Sequence, residues 1–433
     1  VASNGINSSA STIAKNGNAG NIEVKTGSLF LNNGGYMITA LFGEGSADEI
    51  QSAGDIKINA RDTVKIDGEF SGLITNLLNG AGESGNIEVE TKSLSISNGA
   101  VLSTLTAGKG NAGNIELIGG TLSLDNSGFI LTQTLNKGDA GTIDLNFTDS
   151  ILLSNASLIS SNVGVEAEGK GGSININTQD LTLLDGSRMT SSLSGKGRGG
   201  DIDINASESV NILSSRILSL TTAGASGDAG NITVTTGNFN IKDDAIVNAR
   251  TFNDGNAGNI TFNANTFTAT NGGGVTTTTF NSGNAGDINL NIKDRITLSG
   301  IGKSLRSGLF AATSPESTGK GGSIFIDPRL VIIENGAGIS VGSSGTGDAG
   351  DITLQAGTLQ LNNGFISAQT ASTKGGNIGL QISKLLLLRN ESQITTTAGN
   401  EQFGGNGGNI NINSKFIVAP QNEDSDITAN AFS

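Results

Sequence analysis

The chain has 433 residues, of which 65 are Gly and none is Cys or His, and its formal net charge is -14 at pH 7. This composition excludes disulfides, thiolate metal sites and histidine-based catalysis, and the negative charge argues against binding to nucleic acid or to anionic membranes. No apolar run approaches the roughly 20 residues that a helix needs to span a bilayer, so we do not expect membrane insertion.

One tripeptide, Gly followed by Asn, Asp, Ser or Thr and then Ile, recurs fourteen times along the chain. The commonest spacing between successive copies is 28 residues. The glycines of these tripeptides are Gly20, Gly54, Gly85, Gly113, Gly141, Gly172, Gly200, Gly230, Gly258, Gly286, Gly322, Gly350, Gly376 and Gly408. Such a period predicts a solenoid, in which each repeat stacks on its neighbours and buries a continuous core.

The predicted elements begin with a partial coil over residues 1–19, and complete repeats follow from Gly20. The repeat at 113–140 is typical: apolar and polar residues alternate in three segments, 115–117, 121–124 and 129–134. Alternation at period two indicates strands with one buried face. Three short strands per 28 residues, separated by Gly and Asn turns, predict one coil of a parallel β-helix. The sequence therefore predicts an all-β solenoid of about 14 such coils, forming a single domain.

Equivalent positions carry equivalent residues from coil to coil. The two inward positions of the first strand, such as Ile115 and Leu117, are apolar in every repeat, and the residue between them, such as Glu116, is expected to face water. The polar residue before the first Ile is expected to form a ladder that caps backbone groups of the next coil. These columns predict apolar ladders inside a tube with polar corners.

The third strand is less regular, and its inward face is thinner and rich in hydroxyl groups. There we expect Ile38, Ile74 and Leu218 to point inwards and the residue after each of them to point outwards.

The repeat is broken at two places. The longest loop insertion is predicted over 299–318, and a second departure lies around Phe42 to Ala53. Insertions in solenoids loop out from the stack, where recognition is most often elaborated. The chain closes on a partial coil over 415–433, and both ends lie within a repeat, so we expect a fragment of a longer repeat region.

Two motifs resemble ligand-binding loops but have a structural interpretation. Residues 164–170 fit the first seven positions of a phosphate-binding loop, yet Gly171 stands where Ser or Thr is required, and similar Gly-Lys-Gly turns recur between coils. The Gly-Asp-Ala-Gly turns lack the nine-residue period of calcium-binding β-rolls. We interpret both as turns.

Enzymes that cleave polysaccharides on a β-helix need clustered carboxylates for acid and base chemistry. The closest carboxylate pairs in the sequence are Asp243/Asp244, Glu166/Glu168 and Asp201/Asp203. These pairs fall in turns or on a regular exposed strand. Ice binding would need outward Thr-x-Thr ranks, which the third strand does not maintain. We therefore predict a non-enzymatic protein with no catalytic, cofactor-binding or metal-binding residues and no cofactor.

The repeat resembles a known family. Gly-Asn-Ala-Gly-Asn-Ile-x-Val, as at 17–24, followed by x-Leu-x-Leu-x-Asn-Gly-Ala, is similar to the repeat region of filamentous haemagglutinin-like exoproteins of the cyanobacterial kind. The most specific part is the closing stretch, which comprises 385–398, 404–410, 416–419 and 424–432. The resemblance covers essentially the whole chain.

The resemblance implies a right-handed, single-stranded β-helix, secreted by the two-partner route and displayed on or released from the surface of a Gram-negative-type bacterium. It implies a rigid structural or adhesive rod. The partners would be an outer-membrane transporter during export, neighbouring repeats, and cell-surface or matrix glycans or proteins, with no nucleic acid. The secretion domain of that family and its Asn-Pro-containing motif are missing from these residues. The alternative function is a carbohydrate-binding or polysaccharide-cleaving β-helix.

Overall fold

The computed structural model describes residues 5–12, 18–43, 51–399 and 404–432. Within these residues the regular elements are all strands, and parallel strands of successive coils stack into a β-solenoid of about 13 turns with about 29 residues per turn. The predicted parallel β-helix is confirmed. The structure divides into two compact units: unit 1 is Val1–Ser207 with Gly224–Gly227, and unit 2 is Glu208–Ala223 with Asp228–Ser433.

In unit 1 each coil contributes one long and one short strand. These strands are β1 (Gly5–Thr12), β2 (Ile22–Asn32), β3 (Tyr36–Gly43), β4 (Gln51–Ser52), β5 (Ile56–Asp67), β6 (Gly72–Leu77), β7 (Gly82–Glu83), β8 (Ile87–Ser97), β9 (Val101–Thr106), β10 (Ile115–Asp125), β11 (Phe129–Thr134), β12 (Ile143–Leu153), β13 (Leu158–Val163), β14 (Glu168–Lys170), β15 (Ile174–Leu183), β16 (Arg188–Leu193) and β17 (Lys196–Arg198). Short strands pair in parallel in the order β1-β3-β6-β9-β11-β13-β16, which we call sheet A. Long strands pair in the order β2-β5-β8-β10-β12-β15, which we call sheet B. The pairs β4-β7 and β14-β17 extend the stacking into the turns.

The strand β18 (Ile202–Leu213) has residues in both units, and unit 2 repeats the same two sheets. Its strands are β19 (Arg216–Thr221), β20 (Ile232–Lys242), β21 (Ile246–Thr251), β22 (Ile260–Thr270), β23 (Gly274–Thr279), β24 (Ile288–Ser299), β25 (Gly308–Thr313), β26 (Ile324–Ile326), β27 (Leu330–Glu334), β28 (Gly338–Ser343), β29 (Ile352–Asn362), β30 (Phe365–Thr370), β31 (Ile378–Arg389), β32 (Gln393–Ala398), β33 (Ile410–Val418) and β34 (Asp426–Ala431). Sheet A of unit 2 has the order β19-β21-β23-β25-β28-β30-β32-β34, and sheet B the order β20-β22-β24-β26-β29-β31-β33.

The first two strands predicted for each coil form one bent strand in sheet B. In β10, for example, the register with β12 shifts between Gly119 and Thr121. Such a bulge bends a strand while the ladder on either side of it continues. In one coil of unit 2 the two segments are separate strands, β26 and β27, with Pro328 between them, because proline has no N–H to donate to the ladder.

The core is built from the inward columns that the sequence predicts. The inward residues of the first segment of sheet B, from Ile56 to Leu380, are at most 1% exposed, whereas Glu116 and its equivalents lie outside. In unit 2 three buried rings, Phe239, Phe262 and Phe267, pack with centroid distances of 4.5, 5.1 and 5.2 Å. Burial of each such apolar side chain contributes about 1.5–3 kcal/mol.

We predict that Leu117→Ala lowers the free energy of unfolding by about 2–5 kcal/mol, because it leaves a cavity in a core that cannot collapse around it. The neighbouring Glu116→Ala should change it by less than about 0.5 kcal/mol, because Glu116 is exposed. Urea unfolding followed by far-ultraviolet circular dichroism measures both variants. Equal shifts of the unfolding midpoint would contradict the inward and outward assignment.

Candidate functional site

The Gly-polar-Ile tripeptides lie at the corner where each coil enters sheet B. The polar side chain accepts a hydrogen bond from the backbone N–H of its equivalent one coil on: Asn86 N lies 2.8 Å from Asp55 Oδ1, and Asn114 N lies 2.8 Å from Asn86 Oδ1. Unit 2 contains the same ladder. The glycine is required by the close stacking, since a Cβ on Gly113 would overlap the carbonyl oxygen of Gly85. The predicted polar corner ladder is confirmed.

Hydroxyl groups of sheet A reach the same corner from inside the coil. Thr104 Oγ1 donates to the carbonyl oxygen of Gly113 at 2.6 Å, and Thr132 Oγ1 donates to that of Gly141 at 2.7 Å. Unit 2 has an equivalent bond. A buried carbonyl without a partner would cost about 1–3 kcal/mol. The hydroxyl-rich inner face of the third strand is therefore part of the corner.

Three of the inward assignments in sheet A are wrong. The residues expected inside were Ile38, Ile74 and Leu218, and those found inside are Met37 with Thr39, Leu73 with Thr75, and Ile217 with Ser219. Two adjacent apolar residues left the register open, and a shift of one residue exchanges the two faces of a strand. In the first of these strands, Thr39 Oγ1 donates a buried hydrogen bond of 2.7 Å to the carbonyl oxygen of Gly54. Thr39 can make this bond only if it points inwards.

The segment that resembles a phosphate-binding loop is part of the corner stacking. Its last residues form β14, which pairs with β17. The backbone N–H of Lys170 donates to Asp139 Oδ1 at 2.7 Å. In a phosphate-binding loop these N–H groups would point at the ligand from a helix N-terminus. Here the N–H groups of Lys170 and Gly171 instead donate to residues of the neighbouring coils.

The carboxylates considered for catalysis are engaged separately. Glu168 and Asp201 each form an ion pair with a basic side chain, at 3.3 and 3.0 Å. Asp243 Oδ1 accepts from Asn271 Nδ2 at 3.2 Å. In the described part of the chain no group of three or more acidic residues could hold a metal ion. Asp243 and Asp244 line a common groove.

The longest predicted insertion contains a small hairpin over 300–307 that folds back on the turns between sheet B and sheet A. The Asp244 carboxylate accepts the backbone N–H groups of Lys303, Ser304 and Leu305 at 2.9, 3.2 and 3.0 Å. Burial raises the pKa of Asp244, but these three bonds favour the charged form and hold the pKa below its ordinary value. The second predicted departure, around Phe42 to Ala53, lies largely outside the described residues.

Beside this hairpin lies an open groove of about 620 Å³. Its lining includes Ser214, Arg216, Asp243, Asn271 and Lys303. A general acid needs a pKa near the working pH. Asp244, whose pKa is lowered and whose oxygens are occupied by the hairpin, does not meet that requirement. The groove is polar and suits binding better than proton transfer.

The outer face of sheet A in unit 1 presents several apolar side chains from adjacent coils. The outward residues of β3, β6, β9, β11 and β13 include Ile38, Ile74, Val101, Leu105, Phe129, Leu131 and Leu158, all partly exposed. We call this set the apolar outer face. The alternating pattern indicated outward Leu105 and Leu131, but the register error concealed Ile38 and Ile74.

Sequence reasoning also missed Arg216 and Arg250, which lie on the outer face of sheet A in unit 2. Their strands are far apart in the sequence, and only the pairing of β19 with β21 shows that the two side chains share one face. In the sequence, a single arginine at an outward position did not indicate a binding site.

Comparisons with protein-family models, with curated proteins and with solved structures found no match for this chain. Among the described residues no helix is long and apolar enough to cross a bilayer.

We predict that Asp244→Asn frees the 300–307 hairpin while the coils stay folded. Hydrogen bonds to a charged group are worth roughly 1.5–3 kcal/mol, so amide exchange at Lys303 and Leu305 should accelerate by about tenfold or more. Hydrogen exchange followed by mass spectrometry measures this. The adjacent Asp243→Asn, whose carboxylate meets only the Asn271 side chain, is the control, and equal acceleration in both variants would contradict the assignment.

Acid should loosen the same hairpin in the wild-type chain. Because the folded pKa of Asp244 lies below its ordinary 3.8, the carboxylate stabilises the hairpin fully above that pH and loses its effect as pH falls through the lowered pKa. Exchange at 300–307, corrected for intrinsic rates, should rise in that acid range in the wild type. The Asn variant should show no such step, and a matching step in it would rule out Asp244 as the titrating group.

Proposed function

We propose that the chain is a structural and adhesive segment of a large secreted surface protein of the filamentous haemagglutinin-like class, exported by the two-partner route. In this proposal the stacked coils act by presenting sheet faces and loops to other surfaces, without catalysis. The repeat motifs at the corners support this, because their glycines, amides and hydroxyls are used in coil-to-coil contacts.

The observation that carries the adhesive part of the proposal is the apolar outer face. Its strands lie side by side at about 4.8 Å, so seven partly exposed apolar side chains share one nearly flat surface. Contiguous exposed apolar surface of this kind marks interaction sites on soluble proteins. The remaining outward residues of these strands are small, hydroxyl, amide or aromatic.

Charge is distributed unevenly between the two sheets of unit 1. The outward positions of β6, β9, β11 and β13 carry no charged side chain, although the chain has 39 acidic and 25 basic residues. The first outward position of sheet B is charged in the same coils, as at Lys57, Glu88, Glu116 and Asp144. A partner that docks on the apolar outer face therefore desolvates no charge.

We predict that beads coated with the chain are retained under flow on at least one of three surfaces: immobilised polysaccharide, immobilised collagen and a lawn of bacterial cells. Leu131→Glu should reduce that retention several-fold, because a charge replaces an apolar contact worth about 1.5–3 kcal/mol. Ser123→Glu, at an outward position of sheet B in the preceding part of the same coil, is the matched control.

Retention no greater than that of beads coated with an unrelated acidic protein, on all three surfaces, would overturn the adhesive proposal. Release of reducing sugar from polysaccharide by the purified chain would overturn its non-enzymatic part.

A further inference from the structure

Sheet A of unit 2 carries two arginines on its outer face that form no ion pair with the described carboxylates, although Arg216 shares a groove with Asp243 and Asp244. Arg216 is the first residue of β19, and Arg250 is the fifth residue of β21, aligned with Leu220. Both occupy outward positions. In the described residues neither forms an ion pair, whereas four other arginines pair with a carboxylate at 3.0 Å or less: Arg61, Arg198, Arg329 and Arg389. Because neither guanidinium is bound to a carboxylate, both are available to an anion, and Arg250 lies away from the acidic groove that Arg216 borders.

The two guanidinium groups act on each other. Burial lowers the pKa of Arg250, and the nearby positive charge of Arg216 lowers it further. Arginine nevertheless stays charged in proteins, so the repulsion between the two groups persists. A bound anion would relieve it, and the planar guanidinium fork matches a carboxylate with two parallel hydrogen bonds.

Polar atoms beside the arginines lack hydrogen-bond partners. Asn248, only 6% exposed, occupies an outward position of β21 opposite Thr276 of β23. Asn248 Oδ1, Arg250 Nε and Thr276 Oγ1 have no partner. They offer an acceptor, a donor and a hydroxyl within one patch. These atoms are buried, so a ligand reaches them only when neighbouring outer side chains move.

An aromatic pair borders the same patch. Phe252 and Phe280 stack with a centroid distance of 4.3 Å and an interplanar angle of 16°. The Arg250 guanidinium lies 4.9 Å from the centre of the Phe252 ring, and Phe280 is 37% exposed. The C–H groups on one side of a sugar ring form an apolar face that packs against such a ring.

We propose that the outer face of β19, β21 and β23 binds a carboxylated polysaccharide. Arg216 and Arg250 hold the carboxylate, Asn248 and Thr276 bond ring hydroxyls, and Phe280 packs against the apolar face of a sugar. This inference rests on the adhesive function proposed above and gives it a ligand class. The net negative charge does not prevent binding, because charges beyond a Debye length of about 8 Å are largely screened at physiological ionic strength.

The test compares binding of the purified chain to polygalacturonate, neutral dextran, dextran sulfate and single-stranded DNA, each immobilised, at about 0.15 M salt. We expect polygalacturonate to bind at least about tenfold more tightly than dextran. The double variant Arg216→Gln/Arg250→Gln should lose that preference, because Gln keeps hydrogen-bonding capacity and removes the charge. The control Arg61→Gln, which removes an ion-paired arginine of unit 1, should retain it.

Three results would overturn the proposal: no preference for polygalacturonate over dextran, an equal preference in wild type and double variant, or tighter binding of dextran sulfate or DNA than of polygalacturonate. If the double variant melts at a lower temperature than the wild type, the single variant Arg216→Gln, at the exposed position, replaces it in the binding test. This variant is also expected to lose the preference for polygalacturonate over dextran. Loss of polysaccharide preference without loss of bead retention, or the reverse, separates this site from the apolar outer face.

Discussion

The structure depends on the hydrogen bonds made at one corner of each coil. The glycine of the Gly-polar-Ile tripeptide lies so close to its equivalent in the preceding coil that a side chain would overlap that coil's backbone. Its carbonyl oxygen accepts a threonine hydroxyl from inside the tube, as Gly113 does from Thr104. The next residue binds the backbone of the neighbouring coil from outside. Where these bonds form, the backbone groups at the corner are paired, so the apolar columns on either side stack with little polar cost.

This corner also explains which parts of the fold could be predicted from the sequence. The first segment of sheet B is marked by glycine, a polar residue and isoleucine at fixed offsets, so its register was predictable in every complete coil. Sheet A has no such marker. At Met37-Ile38 and Ile217-Leu218 two apolar residues compete for one inward position, and the choice depends on a neighbouring coil. A hydroxyl that follows two residues after the first apolar residue, as Thr39 follows Met37, is the signal that distinguishes the alternatives.

The candidate sites were less predictable because they combine residues from strands separated by a whole coil. The sequence predicted an insertion over 299–318, of which Gly308–Thr313 form the regular strand β25, and it gave no reason to connect the hairpin with Asp244, some sixty residues earlier. That connection requires an acidic residue in the turn from sheet B to sheet A, glycine at positions 272 and 302 to admit the carboxylate, and a hairpin of the right length. Each requirement is ordinary alone, and only the stacking brings them together.

The distribution of charge follows from the same geometry and differs between sheet A and sheet B. In sheet B the outward residues beside the corner tolerate charge because they are solvated, and opposite charges on neighbouring coils can pair, as Lys57 does with Glu88 at 2.6 Å. Most outward residues of sheet A are only partly exposed. An arginine on that face loses solvent without gaining a carboxylate from the next coil. Arg250 is in this position. It is partly buried and has no carboxylate partner, because the neighbouring outward residues of sheet A carry none.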